Sequence, residues 1–164
     1  MITVRSALPD DAPELVRLRD VMVASMKHLP TTPDPSGGWK PLAEKILRTA
    51  LDGGDASGPV FGVFVVDDDE RPGRLAACAV GTLEQRLPGP GHPDGLFGFV
   101  FNICTDPDRR RRGYARACTE ALLAWFDEKG ATRLDLHASS LGQDLYRDLG
   151  FTEYSTALSR TTPR

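Results

Sequence analysis

The sequence predicts an α/β domain with a mixed, largely antiparallel sheet flanked by about four helices. Strand-like and helix-like segments follow one another in the order β-α-α-β-β-β-α-β-α-β. The polar turn at residues 67–73 lies between two apolar segments, which is typical of an antiparallel hairpin. A helix-length segment connects residues 97–105 with residues 132–138, and a crossover of this kind joins parallel strands.

The elements in this order are identified by apolar periodicity and by their boundary residues. The predicted strands are residues 2–5, 60–66, 75–83, 97–105, 132–138 and 151–159. The predicted helices start after Asp10 or Asp11, near Trp39, at Gly113 and after Ser140. The buried stripe of the first helix is Leu15, Leu18, Met22, Met26 and Leu29. The buried stripe of the third helix is Ala115, Cys118, Leu122, Trp125 and Phe126.

Local patterns refine these bounds. An aspartate at position 10 or 11 is suited to cap the first helix, and Ser140 with Gln143 forms an S-x-x-Q capping box before the last one. Prolines and glycines across residues 29–38 predict a loop. The acidic residues 67–70 are interpreted as a solvated turn, in preference to a metal site.

Composition narrows the class of protein. The chain has 164 residues and a formal net charge of −3, which suits one domain over residues 1–164 and disfavours nucleic acid as the main partner. Its three cysteines (Cys78, Cys104 and Cys118) are scattered, as reduced thiols of an intracellular protein are. The sequence shows no leader pattern and no apolar run near ~18 residues, so we expect a soluble, cytoplasmic protein with no membrane partner.

A run of four arginines, Arg109 to Arg112, precedes the helix that opens at Gly113. The N-terminal end of a helix is itself positive, so cations there oppose the helix dipole. A multiply charged anion held by the free N–H groups of the helix would remove this conflict. The run therefore predicts a phosphate-bearing ligand at residues 109–115.

Two motifs in this element order resemble the GNAT N-acetyltransferase superfamily. The pyrophosphate loop of that family, R/Q-x-x-G-x-G/A, is matched by Arg110-Arg111-Arg112-Gly113-Tyr114-Ala115. Its late L-Y-x-x-x-G-F motif is matched by residues 145–151, which include Tyr146. The resemblance covers essentially the whole chain and implies a GNAT-like fold. It departs from the family at Arg109, often aromatic in relatives, at Ser139, often asparagine, and in the short segment after Phe151.

The resemblance implies acetyl-CoA as co-substrate and no metal. Its pyrophosphate would lie on Arg110, Arg111, Arg112, Gly113, Tyr114 and Ala115. The pantetheine arm would contact the backbone of Ile103, Cys104 and Thr105, where a bulge like that of relatives would leave N–H and C=O groups unpaired. Ser139 would contact the cofactor or cap the helix, and Asn102 would line the acceptor side or make a strand-edge hydrogen bond.

Tyr146 is the candidate general acid, because a phenol can give its proton to the leaving CoA thiolate. The alternative is a core tyrosine on the flank of its helix. The general base stays open among Glu84, His92 and His137, with His28 nearer the loop between the first two helices, and a water molecule. Cys104 would suggest an acyl-enzyme, but no base stands at a readable spacing, so direct transfer is favoured.

These inferences predict an acetyl-CoA-dependent N-acetyltransferase that acts on a primary amine of a small molecule or peptide. The alternative is a non-catalytic acyl-CoA sensor or interaction module on the same fold. A nucleic-acid binder that uses the arginine run is disfavoured by the net charge. A homodimer is plausible, and the amine is not identified by the sequence.

Overall fold

The computed structural model describes residues 1–26, 36–54 and 57–162. Its strands are β1 (Arg5–Ser6), β2 (Val60–Asp67), β3 (Leu75–Gln85), β4 (Leu96–Thr105) and β5 (Arg133–Leu136). Its helices are α1 (Ala12–Ser25), α2 (Lys40–Leu51), α3 (Tyr114–Lys129) and α4 (Gln143–Asp148). No helix in the described residues is long and apolar enough to cross a membrane.

Within the described residues the strands form one sheet in the order β1-β2-β3-β4-β5. The first four strands pair antiparallel, and β5 pairs parallel to β4. Helix α3 makes the crossover between β4 and β5. The predicted mixed, largely antiparallel sheet is confirmed, with the parallel pair where the crossover placed it.

The two faces of the sheet carry different helices. Leu15 and Leu18 of α1 pack on one face with Val63, Val65 and Cys78, and α2 adds partly buried side chains there. On the other face Cys118, Leu122 and Phe126 of α3 are fully buried against β2, β3 and β4. The predicted stripes of both helices therefore face the core, although Leu29 and most of the loop predicted at 29–38 lie outside the described residues.

Neither predicted helix cap is formed. The Asp11 carboxylate instead accepts hydrogen bonds from the backbone N–H of Leu8 (2.7 Å) and from Arg5 (2.7 Å), so it fastens β1 to the turn before α1. The last helix begins after Gly142, and neither Ser140 nor Gln143 makes a capping bond there. The competing contacts of Asp11 are with residues three and six positions earlier in the chain, and at α4 a local turn runs from Ser139 to Gly142.

The strand predicted at residues 151–159 is wrong, and the one predicted at residues 2–5 is displaced to Arg5–Ser6. In place of a strand, the chain after α4 is irregular. Its apolar side chains are not buried: Tyr154 is 74% exposed and Leu158 is 92% exposed. An alternating sequence forms a strand only where a sheet edge and a core are there to receive it, and residues 152–159 stay exposed.

Candidate active site

A cleft opens where β4 and β5 separate. The two strands pair only from Phe97 with Arg133 to Val100 with Leu136. Beyond Val100, β4 continues to Thr105 with β3 as its strand partner on one side and none among the described residues on the other. Backbone groups on that edge of β4 are therefore open to a ligand that lies along it.

The predicted bulge is present, but it lies earlier in β4 than expected. Val80 pairs with Asn102 and Gly81 with Val100, so Phe101 is the extra residue. Ile103, Cys104 and Thr105 keep regular partners on β3, so the bulge does not unpair them. The bulge ends the pairing with β5 and turns β4 away, and this separation exposes the edge of residues 103–105.

The loop after β4 leads into α3 as the arginine motif predicted. Gly113 is the N-cap and has φ of +82°, a left-handed conformation that glycine adopts at little cost. No side chain caps the helix there, so its first N–H groups remain available. Arg110 and Arg111 are exposed, and no carboxylate of the described residues lies within 4.0 Å of either. The loop thus presents free donors and two unpaired cations in one place.

The other two arginines of the run are engaged by acidic side chains. Arg109 is buried and donates from Nε to both carboxylate oxygens of Asp68 at 3.1 Å, while its Nη2 lies 2.9 Å from Glu70. Arg112 Nη1 lies 3.6 Å from Glu70. The sequence prediction that places the ligand on the whole segment 109–115 is wrong for Arg109, whose guanidinium belongs to the interior.

The acidic turn after β2 is likewise not merely solvated. The Asp68 side chain is fully buried and also accepts a hydrogen bond from Arg71 at 2.6 Å. Its burial alone would raise the pKa, but the hydrogen bonds from Arg109, Arg71 and the Glu70 N–H outweigh burial and lower the pKa to about 2. Asp68 is therefore a charged anchor beneath the arginine loop.

A second buried carboxylate, Asp106, lies at the end of β4. It accepts hydrogen bonds from the N–H of Asp108 (3.1 Å), from Arg17 of α1 (2.8 Å) and from Arg74 (3.3 Å). Burial opposes ionisation of Asp106, but hydrogen bonds from the Asp108 N–H, Arg71 and Arg17 lower its pKa overall. Asp68 and Asp106 together tie α1, the β2–β3 turn and the arginine loop into one unit.

Tyr146 lies at the closed end of the cleft. A small cavity of about 40 Å³ there is lined by Met22, Met26, Val100, Phe101, Asn102, Ile103, Leu136, His137, Ser139 and Tyr146. Gly142 allows the tyrosine ring to lie against the backbone, since a Cβ on Gly142 would be 2.7 Å from that ring. Burial raises the pKa of Tyr146, so its phenol stays protonated.

The structure brings Ile103, Ser139 and Tyr146 of the predicted site to this one cleft. Asn102 also lines it and makes side-chain hydrogen bonds with Arg19 (3.3 Å) and Cys78 Sγ (3.5 Å), and its place on the acceptor side stays a prediction. The arginine loop stands at the other end of β4, beyond Thr105. Tyr114 packs its ring against the α3-side core, which leaves its backbone as the part that could meet a ligand.

The candidate general bases differ in where they lie relative to the cleft. His137 lines the cleft with Tyr146, and no side-chain hydrogen bond of His137 occurs among the described residues. Glu84 accepts a hydrogen bond from Arg86 at 2.8 Å, and His92 lies 2.9 Å from the Thr132 hydroxyl. Both lie toward the N-terminal end of β4, away from the arginine loop. Neither Glu84 nor His92 lines the cleft, and His28 lies outside the described residues.

Cys104 does not have the environment of a nucleophile. It is 7% exposed, and burial raises the pKa of its thiol to about 11. A thiol in that range is almost wholly protonated near neutral pH, which supports the sequence preference for direct transfer.

Met22, Met26 and Phe101 also line the cleft, and the sequence offered no signal for their role. In the sequence, the methionines belong to the predicted buried stripe of the first helix, and Phe101 is one of several apolar residues of its strand. Their position at the site follows from how α1 crosses β4, which is a tertiary contact.

Comparison with known proteins agrees with this fold. A predicted acetyltransferase from Clostridium acetobutylicum, crystallised with acetyl-CoA, is 19% identical with a TM-score of 0.79 over 98% of this chain and 96% of its own. A GCN5-related N-acetyltransferase from Ralstonia eutropha JMP134 is 25% identical with a TM-score of 0.77 over 99% of each chain. An aminoglycoside acetyltransferase from an uncultured soil metagenomic sample, in complex with sisomicin, is 15% identical with a TM-score of 0.67 over 99% of this chain and 97% of its own.

No curated protein sequence matches the chain. The sequence model of the acetyltransferase (GNAT) family matches residues 25–151, which is most of the chain and includes the cleft, the arginine loop and Tyr146. The chain belongs to the acetyltransferase (GNAT) family.

Proposed function

We propose that residues 1–164 act as one domain that transfers an acetyl group from acetyl-CoA to a primary amine of a small molecule or peptide. The observation that carries this proposal is the position of Tyr146. Its half-buried phenol lines the cleft between β4 and β5, at the opposite end of the exposed strand edge from the arginine loop. That the enzyme works in the cytoplasm stays a prediction from the sequence.

The cofactor half of the proposal rests on the loop and the strand edge. The pyrophosphate would lie on the N–H groups that follow Gly113, with Arg110, Arg111 and Arg112 beside it. A strand rises about 3.3 Å per residue, so the edge from Thr105 to Phe101 offers roughly 13 Å of backbone for the pantetheine arm. The acetyl-CoA of the Clostridium structure supports this choice of co-substrate.

The chemistry follows from the groups at the closed end. The amine nitrogen attacks the thioester carbonyl, a C–N bond forms, and the C–S bond breaks as the tetrahedral intermediate collapses. The CoA thiolate takes the Tyr146 proton, and the amine loses its protons to water or to a base. A backbone N–H on the open edge of β4 would donate to the developing oxyanion. Because burial raises its pKa, Tyr146 keeps its proton to high pH.

A structural neighbour supports a small-molecule acceptor. The soil metagenomic structure contains sisomicin, an aminoglycoside, and the fold is shared although identity is only 15%. A peptide amine fits the same mechanism and is the second form of acceptor in the proposal.

The test is release of CoA from acetyl-CoA in the presence of an amine panel, with Tyr146→Phe against the wild type. We expect the substitution to lower kcat about 100-fold, since a general acid contributes at least that factor. Leu158→Ala is the control, because it removes a 92% exposed side chain that does not line the cleft. Its kcat should stay within about twofold of the wild-type value.

Binding is measured separately by thermal unfolding. Acetyl-CoA at 100 times its Kd should stabilise the fold by about 2.7 kcal/mol in both the wild type and Tyr146→Phe. Binding with no turnover of any amine would favour the acyl-CoA sensor. Absence of any stabilisation would contradict both functions.

A further inference from the structure

A second, larger cavity of about 540 Å³ runs along the edge of β5 that faces away from β4. It is bounded by β5, by α4 and by the irregular chain after α4. Its volume is in the range of small-molecule sites. The site derived above does not use this cavity.

The larger cavity meets the cleft at its catalytic end. Leu136, His137 and Tyr146 line both cavities. The arginine loop, where the cofactor would enter, lines neither, and it stands beyond the other end of the exposed β4 edge. A molecule in the larger cavity would therefore reach Tyr146 from the side opposite to the cofactor.

Aromatic rings form much of the wall of the larger cavity. Phe99 and His137 meet edge to face, with ring centroids 5.5 Å apart. Tyr146 and Phe151 do the same at 6.2 Å. The Arg133 guanidinium lies 3.8 Å from the centroid of the Tyr154 ring and holds that ring against β5. Such walls favour a flat, apolar body, and ring faces also attract an ammonium group.

The acidic groups of the wall are already paired. Asp135 lies 3.1 Å from Arg133 and 3.7 Å from Arg86, and Glu153 lies 3.0 Å from Arg147. These are the two carboxylates that line the cavity, against three arginines. A ligand with several ammonium groups would meet more cations than free anions, so the lining charge disfavours a polyamine.

We propose that this cavity is the acceptor site and that it takes an amine with one ammonium group on a planar aromatic body. The ring of the acceptor packs among Phe99, Phe151 and Tyr154, and its amine reaches the junction at His137 and Tyr146. This inference rests on the proposed acetyltransferase function and specifies the acceptor of that same site.

The experiment compares three amines with the wild-type enzyme and acetyl-CoA. Phenethylamine is the aromatic probe, 2-cyclohexylethylamine has the same skeleton with a ring that is not planar, and spermidine is the polyamine. We expect kcat/KM for phenethylamine to be about fivefold higher than for the cyclohexyl analogue, because aromatic pairs contribute about that much. We expect it to be at least about tenfold higher than for spermidine. Spermidine as the best substrate would overturn the proposal.

The cavity itself is tested by Tyr154→Ala, with Leu158→Ala as the matched control. Both residues lie in the same irregular segment, but Leu158 is 92% exposed and does not line the cavity. Tyr154→Ala should raise KM for phenethylamine about fivefold and leave KM for acetyl-CoA unchanged, because only the acceptor wall is lost. Equal KM values for phenethylamine in Tyr154→Ala and Leu158→Ala would overturn the assignment.

Calorimetric titration of phenethylamine into the CoA-loaded protein distinguishes a failure of catalysis from a failure of this acceptor site. Binding that is weakened by Tyr154→Ala supports the acceptor site even if no acetyl group is transferred. No binding to the wild type overturns the acceptor assignment, while CoA release with another amine would still support the proposed function.

Discussion

The two ends of the catalytic cleft are built in opposite ways. At the cofactor end, the ion pairs are interior: the side chains of Asp68 and Asp106 are 0% and 3% exposed. At the end that opens into the larger cavity, the Arg147–Glu153 pair lies in water, with side chains that are 55% and 90% exposed. Buried pairs have few alternative partners, whereas exposed pairs exchange readily with solvent.

This difference matches the two kinds of ligand in the proposal. A diphosphate has one fixed shape and charge, so a loop fixed from below by Asp68 and Arg109 is preorganised to receive it. An acceptor wall of exposed pairs and rings is free to differ between family members without disturbing the fold. The contrast between the two ends leads to four predictions, from the largest expected effect to the smallest.

Removal of the anchor at the cofactor end should have the largest effect on stability. Asp68→Ala leaves the buried Arg109 and the adjacent Arg71 without their shared carboxylate, and breaking a buried pair in this way costs about 3 kcal/mol or more. Urea unfolding measures the loss. Asp69→Ala is the matched control, because Asp69 is exposed and makes no ion pair within the described chain. Similar unfolding free energies for the two variants would show that the buried ion pairs of Asp68 do not stabilise the cofactor end.

The pH dependence of the unfolding free energy tests the same carboxylate with a smaller perturbation, since protonation removes the charge but keeps the side chain. The folded-state pKa of Asp68 is lowered from 3.8 to about 2. A lowered carboxyl pKa contributes stability that is complete above the unfolded value and is lost as the pH falls through the folded value. Unfolding free energy should therefore fall more steeply between about pH 4 and pH 2 in the wild type than in Asp68→Asn. Parallel curves would contradict the assignment.

Substitutions at the adjacent Arg109 and Arg110 should have separate effects, one on stability and the other on acetyl-CoA binding. Arg110 is exposed and has no carboxylate partner among the described residues, so Arg110→Ala should raise the Kd for acetyl-CoA about tenfold and leave urea stability nearly unchanged. Arg109→Ala should chiefly lower stability, because its guanidinium is buried on Asp68. Arg48→Ala removes an exposed charge on α2 and controls for net charge. An unchanged Kd in Arg110→Ala would contradict the proposed phosphate site.

The smallest effect concerns backbone strain in the loop. Arg111 has φ of +65° and is the one residue other than glycine with positive φ in the described part of the chain. That conformation costs a side chain about 1 kcal/mol that glycine does not lose. Arg111→Gly should therefore be more stable than Arg111→Ala by about 1 kcal/mol in urea unfolding, although both lose the same charge. Equal stabilities would mean that the loop relaxes.

Much of the fold could be predicted because it depends on local patterns. Apolar stripes, the hairpin turn and Gly130 at the end of α3 are properties of neighbouring residues, and each element they predicted is present. The predicted strand at 151–159 failed because alternation is local but strand formation needs a partner edge. The predicted caps failed because Asp11 and Ser140 had other contacts available, which local sequence does not weigh.

The candidate site divides in the same way. The sequence by itself determined that Arg110 to Ala115 would open a helix with unpaired donors, and that Tyr146 would lie on a short helix near the end of the fold. Only the tertiary structure decided which charges of the arginine run are free. Arg109 and Arg112 differ from Arg110 and Arg111 because Asp68 and Glu70, some 40 residues earlier, lie beside them. It also brought His137 and Phe101 to Tyr146, since strand separation is set by long-range pairing and not by neighbouring residues.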